Sequence, residues 1–302
     1  MLQSLNTATM GIRQFQYSLD VLSNNLANIN TVSYKGSRTD FAESLASVLR
    51  APTPDTGAGS GTSGVTLGNG VTTAAIRSNF SQGAVNQTGQ ATDFCLQGEG
   101  YFLVRNTNSG EVFATRAGNF RLDSQGYLCT DAGYRVQGIK DYQSSKTELG
   151  DIQFNKGTVP TGAPDTAKDA PITSISVDAS GRMNILLQDG TQYVRSQMVI
   201  QRFSNEQGLV RVGNNCFSNL DAAGPLSAGG FSSSGNNAIL NSASVPNGNG
   251  LAKIEQGALE MSNVDVSREF SNMITTQRAF QANARMVTTS DQILEEILNV
   301  KR

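Results

Sequence analysis

The sequence contains no histidine and no tryptophan in 302 residues, and only 16% of it is charged. Without histidine there is no imidazole zinc ligand and no imidazole general base, so HExxH metal sites, histidine-based nucleophilic triads and C2H2 fingers are excluded. Lys and Arg number 23 against 25 Asp and Glu, a formal charge of −2, which argues against binding to nucleic acid. The three cysteines, Cys95, Cys129 and Cys216, stand far apart with no CxxC pair, which speaks against a metal knot or a disulfide framework. They read as ordinary small apolar side chains. No run of about 18 apolar residues is present to span a bilayer. The opening MLQSLNTATMGIRQFQ lacks the basic, apolar and small-residue regions of a secretory signal. The expectation is a chain that stays in the cytoplasm or leaves by a route without signal cleavage.

What is present is periodicity at the two ends. Leu5, Ile12, Leu19 and Leu26 form one row spaced by seven, and Ala8, Phe15, Leu22 and Ile29 form a second. This alternation of three and four is the seam of a coiled-coil helix about 37 Å long. Near the other end Leu259, Val266, Met273, Phe280, Val287 and Leu294 repeat the spacing of seven. Positions four residues beyond these rows are mixed: Phe270, Ala284 and Leu298 suit a seam, whereas Gln277 and Asp291 do not. The two seams predict pairing between the ends of the chain, through Leu5, Ile12, Phe15, Leu19, Leu22, Leu26 and Ile29 on one helix. On the other helix the predicted contacts are Val266, Phe270, Met273, Phe280, Val287, Leu294 and Leu298.

Between the ends the pattern changes to short apolar runs separated by turn signals. YFLVR (101–105), NFRLD (119–123) and MNILLQ (183–188) read as strands. Asp123, Asp178 and Asp221 are each followed three residues later by Gly126, Gly181 and Gly224, the signature of type I turns closed by glycine. These carboxylates have a turn-capping role, and no calcium loop of the D-x-D-x-D-G type accompanies them. The fold class predicted is α+β, with terminal helices pairing as a coiled coil around a central antiparallel β-rich domain. Its parts are a helical domain over 1–36 and 257–302, an extended connector over 37–71 and a β domain over 72–256. Residues 51–70, rich in Pro, Gly, Ser and Thr, read as an extended linker, and residues 156–171 and 225–250 as long loops.

No P-loop, dinucleotide fingerprint or nucleophile elbow occurs, so no catalytic, cofactor or metal site is predicted. Three ordered segments remain: NNLANINTVSYKG (24–36), TRAGNF (115–120) and SNVDVSREF (262–270), the last continuing through Gln277 and Arg278. In the first, Asn28 and Asn30 offer amides to a fraying helix end and Gly36 lets the chain turn away. Together these segments resemble the signatures of the bacterial flagellar rod and hook proteins, at both termini and in the β region. The resemblance rests on Asn24, Asn25, Asn28 and Gly36, on Arg116, Gly118, Asn119 and Phe120, and on Ser262, Asn263, Gln277 and Arg278.

The resemblance implies a structural subunit, not an enzyme, that polymerises with itself into a hollow helical tube in the flagellar hook or basal body. It implies export through the flagellar type III apparatus without a cleaved signal peptide. Rod, hook-cap and hook–filament junction proteins are the partners it implies. Residues 269–302 are most similar to hook proteins, while chain length and the segment 49–64 are similar to the distal rod. Hook subunit is therefore the first expectation and distal rod subunit the alternative. A β-rich surface adhesin or fibre is a further structural reading.

Overall fold

The computed structural model describes residues 2–52, 61–142, 145–154, 172–226, 232–233, 243–248 and 250–300. Among the described residues the elements are two α-helices, one short 3-10 helix and a central antiparallel β-rich region, and the chain divides into two compact units.

The first unit comprises the described residues of Met1–Ile29, Lys35–Asn79 and Val264–Arg302. Helix α1 spans Leu2–Ala27 and helix α2 spans Val266–Val300, and the two pack against each other. Helix α2 starts where Asp265 Oδ1 accepts from the amides of Ser267 (2.8 Å) and Arg268 (3.2 Å), with Glu269 adding favourable charge in the first turn. At the end of α1, Asn28 donates its Nδ2 to both the carbonyl and the Oδ1 of Asn24, each at 2.9 Å. That side-chain cap satisfies a helix-end carbonyl. Ile29 lies just beyond the helix.

The sequence row on α1 is covered throughout: Leu5, Ile12, Phe15, Leu19, Leu22 and Leu26 are half-buried and Ala8 is buried. On α2 the covered residues are Glu269, Met273, Thr276, Ala279, Phe280, Asn283, Ala284, Val287, Ser290 and Leu294. Three residues after the apolar row stand the covered polar residues Thr276, Asn283 and Ser290, and of the supporting positions four after it Ala284 is half-buried. Phe270 and Leu298, read as supporting positions, are exposed, as is Val266. Leu259 begins no helical row at all, because it sits in the strand Ala258–Glu260. The helix starts only at the Asp265 cap, so the heptad spacing back to Leu259 runs across a change of backbone conformation.

Residues 37–71, read as an extended connector, carry strands. Strand β1 (Ser37–Glu43) pairs antiparallel with β4 (Val71–Ser78), and β2 (Ala46–Arg50) pairs antiparallel with β3 (Val65–Gly68). These are two separate two-stranded sheets, and the β1–β4 pair packs on α1: Phe41 meets Phe15 edge-on at 6.0 Å, and Thr73 hydrogen-bonds Gln14. Asp40 joins Arg38 and Arg77, the latter across the strands. Residues 53–60, part of the segment read as a linker, lie outside the described residues.

The second unit comprises Asn30–Tyr34 and the described residues of Phe80–Asn263. Its main sheet runs in the order Ile172–Val177, Arg182–Leu187, Gln192–Met198, Arg135–Asp141, Tyr101–Arg105, Val112–Thr115, Cys216–Ser218 and Val210–Gly213, all antiparallel. The continuous apolar run at 101–105 is explained by burial on both faces. Phe102 and Val104 enter one core with Phe94, Phe120, Leu128, Val136 and Met198, and Tyr101 and Leu103 enter a second with Val199, Phe203 and Phe217. Each predicted turn closes through a hydrogen bond from glycine to aspartate: Gly126 to Asp123 (2.8 Å), Gly181 to Asp178 (2.8 Å) and Gly224 to Asp221 (3.1 Å). All three glycines have positive φ. Cys95, Cys129 and Cys216 are all buried and none forms a disulfide. Burial pushes the Cys216 thiol up to about 11 and raises that of Cys129 as well, which keeps both protonated and unreactive.

Candidate functional site

The signature residues gather into two clusters, one in each unit. In the helical unit Asn25 is buried, and its side chain imitates a strand neighbour for Ser37. Its Nδ2 donates to the Ser37 carbonyl (2.7 Å) while its Oδ1 accepts from the Ser37 amide (2.9 Å). The same amide nitrogen lies 3.4 Å from Glu269 Oε2. One asparagine therefore ties the end of α1 to the start of β1 and the first turn of α2. An aspartate could not do this, since both donor and acceptor are required.

In the β unit the centre is an ion pair between Arg116 Nη1 and Glu260 Oε2 at 3.5 Å, with side chains 3% and 0% exposed. Arg116 also donates from Nη2 to the Gly98 carbonyl at 2.7 Å, and its guanidinium lies 5.2 Å from the centre of the Tyr101 ring. The other oxygen of Glu260 accepts from the Gly83 amide at 2.9 Å. Residues 30–34 dock here. Ser33 donates its amide to the Glu260 carbonyl and its Oγ to the Arg116 carbonyl, both at 2.8 Å. Asn215 Nδ2 reaches the Val32 carbonyl at 2.7 Å, the Arg211 guanidinium stacks 5.1 Å from the Tyr34 ring centre, and the Asn263 amide donates to the Tyr34 carbonyl at 3.3 Å.

The rest of the TRAGNF segment is fixed by close packing. A Cβ on Gly118 would stand 1.7 Å from the Phe94 carbonyl oxygen, so only glycine lets those two backbones meet. Phe120 fills the core between Phe94 and Phe102. Asn119 donates to Asp131 at 2.6 Å, and Asn263 reaches the Ser81 carbonyl at 3.0 Å. Ser262 is half-buried, whereas Gln277 and Arg278 are exposed on α2. The turn out of α1 differs from the expectation for Gly36: the left-handed residue is Ser33, with φ of 55°. Gly36 is buried and accepts from the Asn79 amide at 2.7 Å.

Ser33 and Glu260 are the residues that sequence reasoning passed over. Glu260 carried one readable signal, since in a strand with Ala258 inward its carboxylate alternates inward too. Nothing in the sequence marks its partner.

A second polar centre lies in the β sheet. Asp151 accepts from Gln137 (2.7 Å), Arg105 (2.7 Å) and Arg135 (3.1 Å). Burial alone would raise its pKa, but these donated hydrogen bonds outweigh burial and hold the carboxyl below its ordinary value. Tyr101, buried beside Glu206, is pushed well above the usual phenol range by desolvation and then by that carboxylate. Among the described residues no group of three or more Cys, Asp or Glu is arranged to hold a metal ion. No described helix is long and apolar enough to cross a membrane.

Large apolar side chains remain open on the helical unit. Met286, Ile293, Ile297 and Val300 form a row on α2, spaced by seven, four and three, and Leu45, Val48, Leu49, Val65 and Leu67 stand out from β2, β3 and the turn before them. Their number and grouping exceed the scattered exposure of an ordinary surface.

The terminal helices leave apolar rows open, whereas the strand Tyr101–Arg105 is buried on both faces. The comparisons identify the family. Residues 5–35 match the family described as flagella basal body rod protein, residues 95–185 the flagellar hook protein FlgE/F/G D1 domain, and residues 255–300 the flagellar basal body rod FlgEFG protein C-terminal family. The flagellar basal-body rod protein FlgG of Bacillus subtilis is 34% identical over 304 residues, with all of both chains covered. That of Borreliella burgdorferi is 31% identical over 303 residues, again covering both chains completely. The flagellar hook protein FlgE of Borreliella burgdorferi is 24% identical over 444 residues, spanning both chains. The chain belongs to the flagellar rod and hook protein family, and it is a structural component of the flagellum rather than an enzyme.

Proposed function

We propose that this chain is a self-assembling subunit of the distal rod of the flagellar basal body. The observation that carries this reading is the end-to-end correspondence with rod proteins at 34% and 31% identity, over alignments of 304 and 303 residues. The match to the hook protein needs a 444-residue alignment, so much of that protein has no counterpart here. Hook subunit is the second reading, supported by the 24% identity with the flagellar hook protein FlgE of Borreliella burgdorferi.

In either position the mechanism is the same. Helices α1 and α2 pair as a coiled coil within each subunit and pack against the helices of neighbours in the inner wall of a tube. Contacts of this kind join different patches on successive copies, so the rotation does not close and an open helical filament grows. Residues such as Ile12, Leu19, Phe280 and Leu294, already half-covered in the single chain, would lose the rest of their exposure. Each full burial is worth about 1.5–3 kcal/mol. The chain would reach its place through the flagellar export apparatus without signal cleavage and meet other rod and hook components there.

Leu19→Asp and Phe280→Asp test the assembly role. Each places a charge in an apolar seam and should abolish tubes visible by negative-stain microscopy while the β-sheet circular dichroism is kept. Normal tubes from either variant would overturn the seam assignment. Immunogold labelling of purified hook–basal bodies then separates the two positions, with gold below the outer-membrane ring for the rod and beyond it for the hook.

A further inference from the structure

We propose that the Arg116–Glu260 ion pair couples the docking of residues 30–34 and residues 258–263 on the β domain, so that losing either segment loosens the other. The two segments share their anchors. Ser33 is fixed by two carbonyls, one belonging to Arg116 and one to Glu260. Its φ of 55° is a left-handed conformation that non-glycine residues avoid, and it persists only where surrounding bonds impose it. If the strand Ala258–Glu260 leaves, the Glu260 carbonyl goes with it and Ser33 loses the acceptor for its amide.

The same departure strands Arg116, whose side chain is 3% exposed, as a buried cation without its carboxylate. Removing one partner of a buried pair is far more costly than the pair is worth. The dependence also runs the other way. When residues 30–34 undock, the Asn263 amide loses the Tyr34 carbonyl and the Glu260 carbonyl loses the Ser33 amide, so the strand that carries Glu260 is held by fewer bonds. Arg116 belongs to neither terminal segment, yet its backbone grips the first and its side chain grips the second.

Amide hydrogen exchange on the full chain tests this coupling. Ser33→Pro removes the donated amide and forbids a positive φ, so it undocks the first segment. The amides of Met261 and Asn263 in the second segment should then exchange about tenfold faster or more, since local opening sets their rate. In the reciprocal variant, Glu260→Gln, the Ser33 amide should accelerate together with that of Asn263. The amides of Phe102 and Ile200 in the core should keep wild-type protection in both variants. Wild-type exchange at Met261 and Asn263 in Ser33→Pro overturns the proposal. Should Glu260→Gln lose core protection, the Ser33→Pro result alone decides, because that substitution removes no buried charge.

Discussion

In the β unit the strand Tyr101–Arg105 sends Phe102 and Val104 into one core and Tyr101 and Leu103 into another, so both of its faces are closed. Helix α2 closes only one. Met273, Phe280, Val287 and Leu294 are half-buried, while Met286, Ile293, Ile297 and Val300 face outward. The seam it does close is half polar, with Thr276, Asn283 and Ser290 taking the alternate positions. A seam of that kind is short of apolar area, and a helix pair relying on it is only modestly stable alone. The difference separates a region closed on both faces from one that leaves an apolar face open.

Truncating one phenylalanine in each region gives the largest contrast. Phe102 is fully buried against Phe120, and Phe102→Ala should cost about 3–5 kcal/mol of stability, enough to shift or abolish the β-domain unfolding transition in urea. Phe280→Ala should cost the monomer no more than about half of that, because half-burial forfeits correspondingly less transfer free energy. Its larger effect should be on tube yield at fixed protein concentration. Equal losses of monomer stability from the two variants would erase the distinction between the regions.

The next contrast is between two glycines at close approaches. At Gly118 the obstacle is the Phe94 backbone carbonyl, 1.7 Å from where a Cβ would stand, and backbone in a packed sheet does not move aside. Gly118→Ala should destabilise by about 1–3 kcal/mol or more. At Gly11 the obstacle is Asn283 Nδ2 at 2.8 Å, the end of a side chain that rotates away. Alanine there also gains about 1 kcal/mol of helix propensity, so Gly11→Ala should lie within about 1 kcal/mol of neutral. Thermal melts of both variants check this, and a large loss at Gly11 would mean that the helix contact is as rigid as the sheet.

The same division explains what could be read in advance. The apolar rows of α1 were legible because a helix repeats its geometry, and spacing alone assigns Leu5, Ile12, Leu19 and Leu26 to one face. The turns at Asp123, Asp178 and Asp221 were legible because their chemistry is local. The second row of α2 was not, since Thr276, Asn283 and Ser290 carry no hydrophobic signal and lie inward only because another helix covers them. Residues 37–71 read as a connector because the Pro-, Gly-, Ser- and Thr-rich run over 51–70 dominates their composition. The strands Ser37–Glu43 and Ala46–Arg50 come from pairing with Val71–Ser78 and Val65–Gly68, partners that no short window of sequence joins. The pairing of Ser33 with Glu260 was invisible for the same reason: they are neighbours across 227 positions, joined by a backbone hydrogen bond that no short window of sequence contains.

The smallest contrast is electrostatic and depends on pH. Asp151, with a side chain 9% exposed, accepts hydrogen bonds from Arg105, Arg135 and Gln137, and its pKa is lowered below the ordinary 3.8. A carboxyl that holds its proton less tightly when folded stabilises the fold above its unfolded pKa. As pH falls from there through the folded value, the unfolded chain takes up the proton first and that stabilisation is lost. Asp40 makes comparable ion pairs with Arg38 and Arg77, but those arginine side chains are 72% and 58% exposed, and solvent screens them. Asp151→Asn should therefore lower the urea midpoint at neutral pH, and the gap to wild type should narrow as pH drops below about 4. Asp40→Asn should change stability by less than about 1 kcal/mol at any pH. A gap for Asp151→Asn that stays constant down to the acid limit would mean its bonds act through geometry alone, and the charged network would cease to distinguish the closed region from the open one.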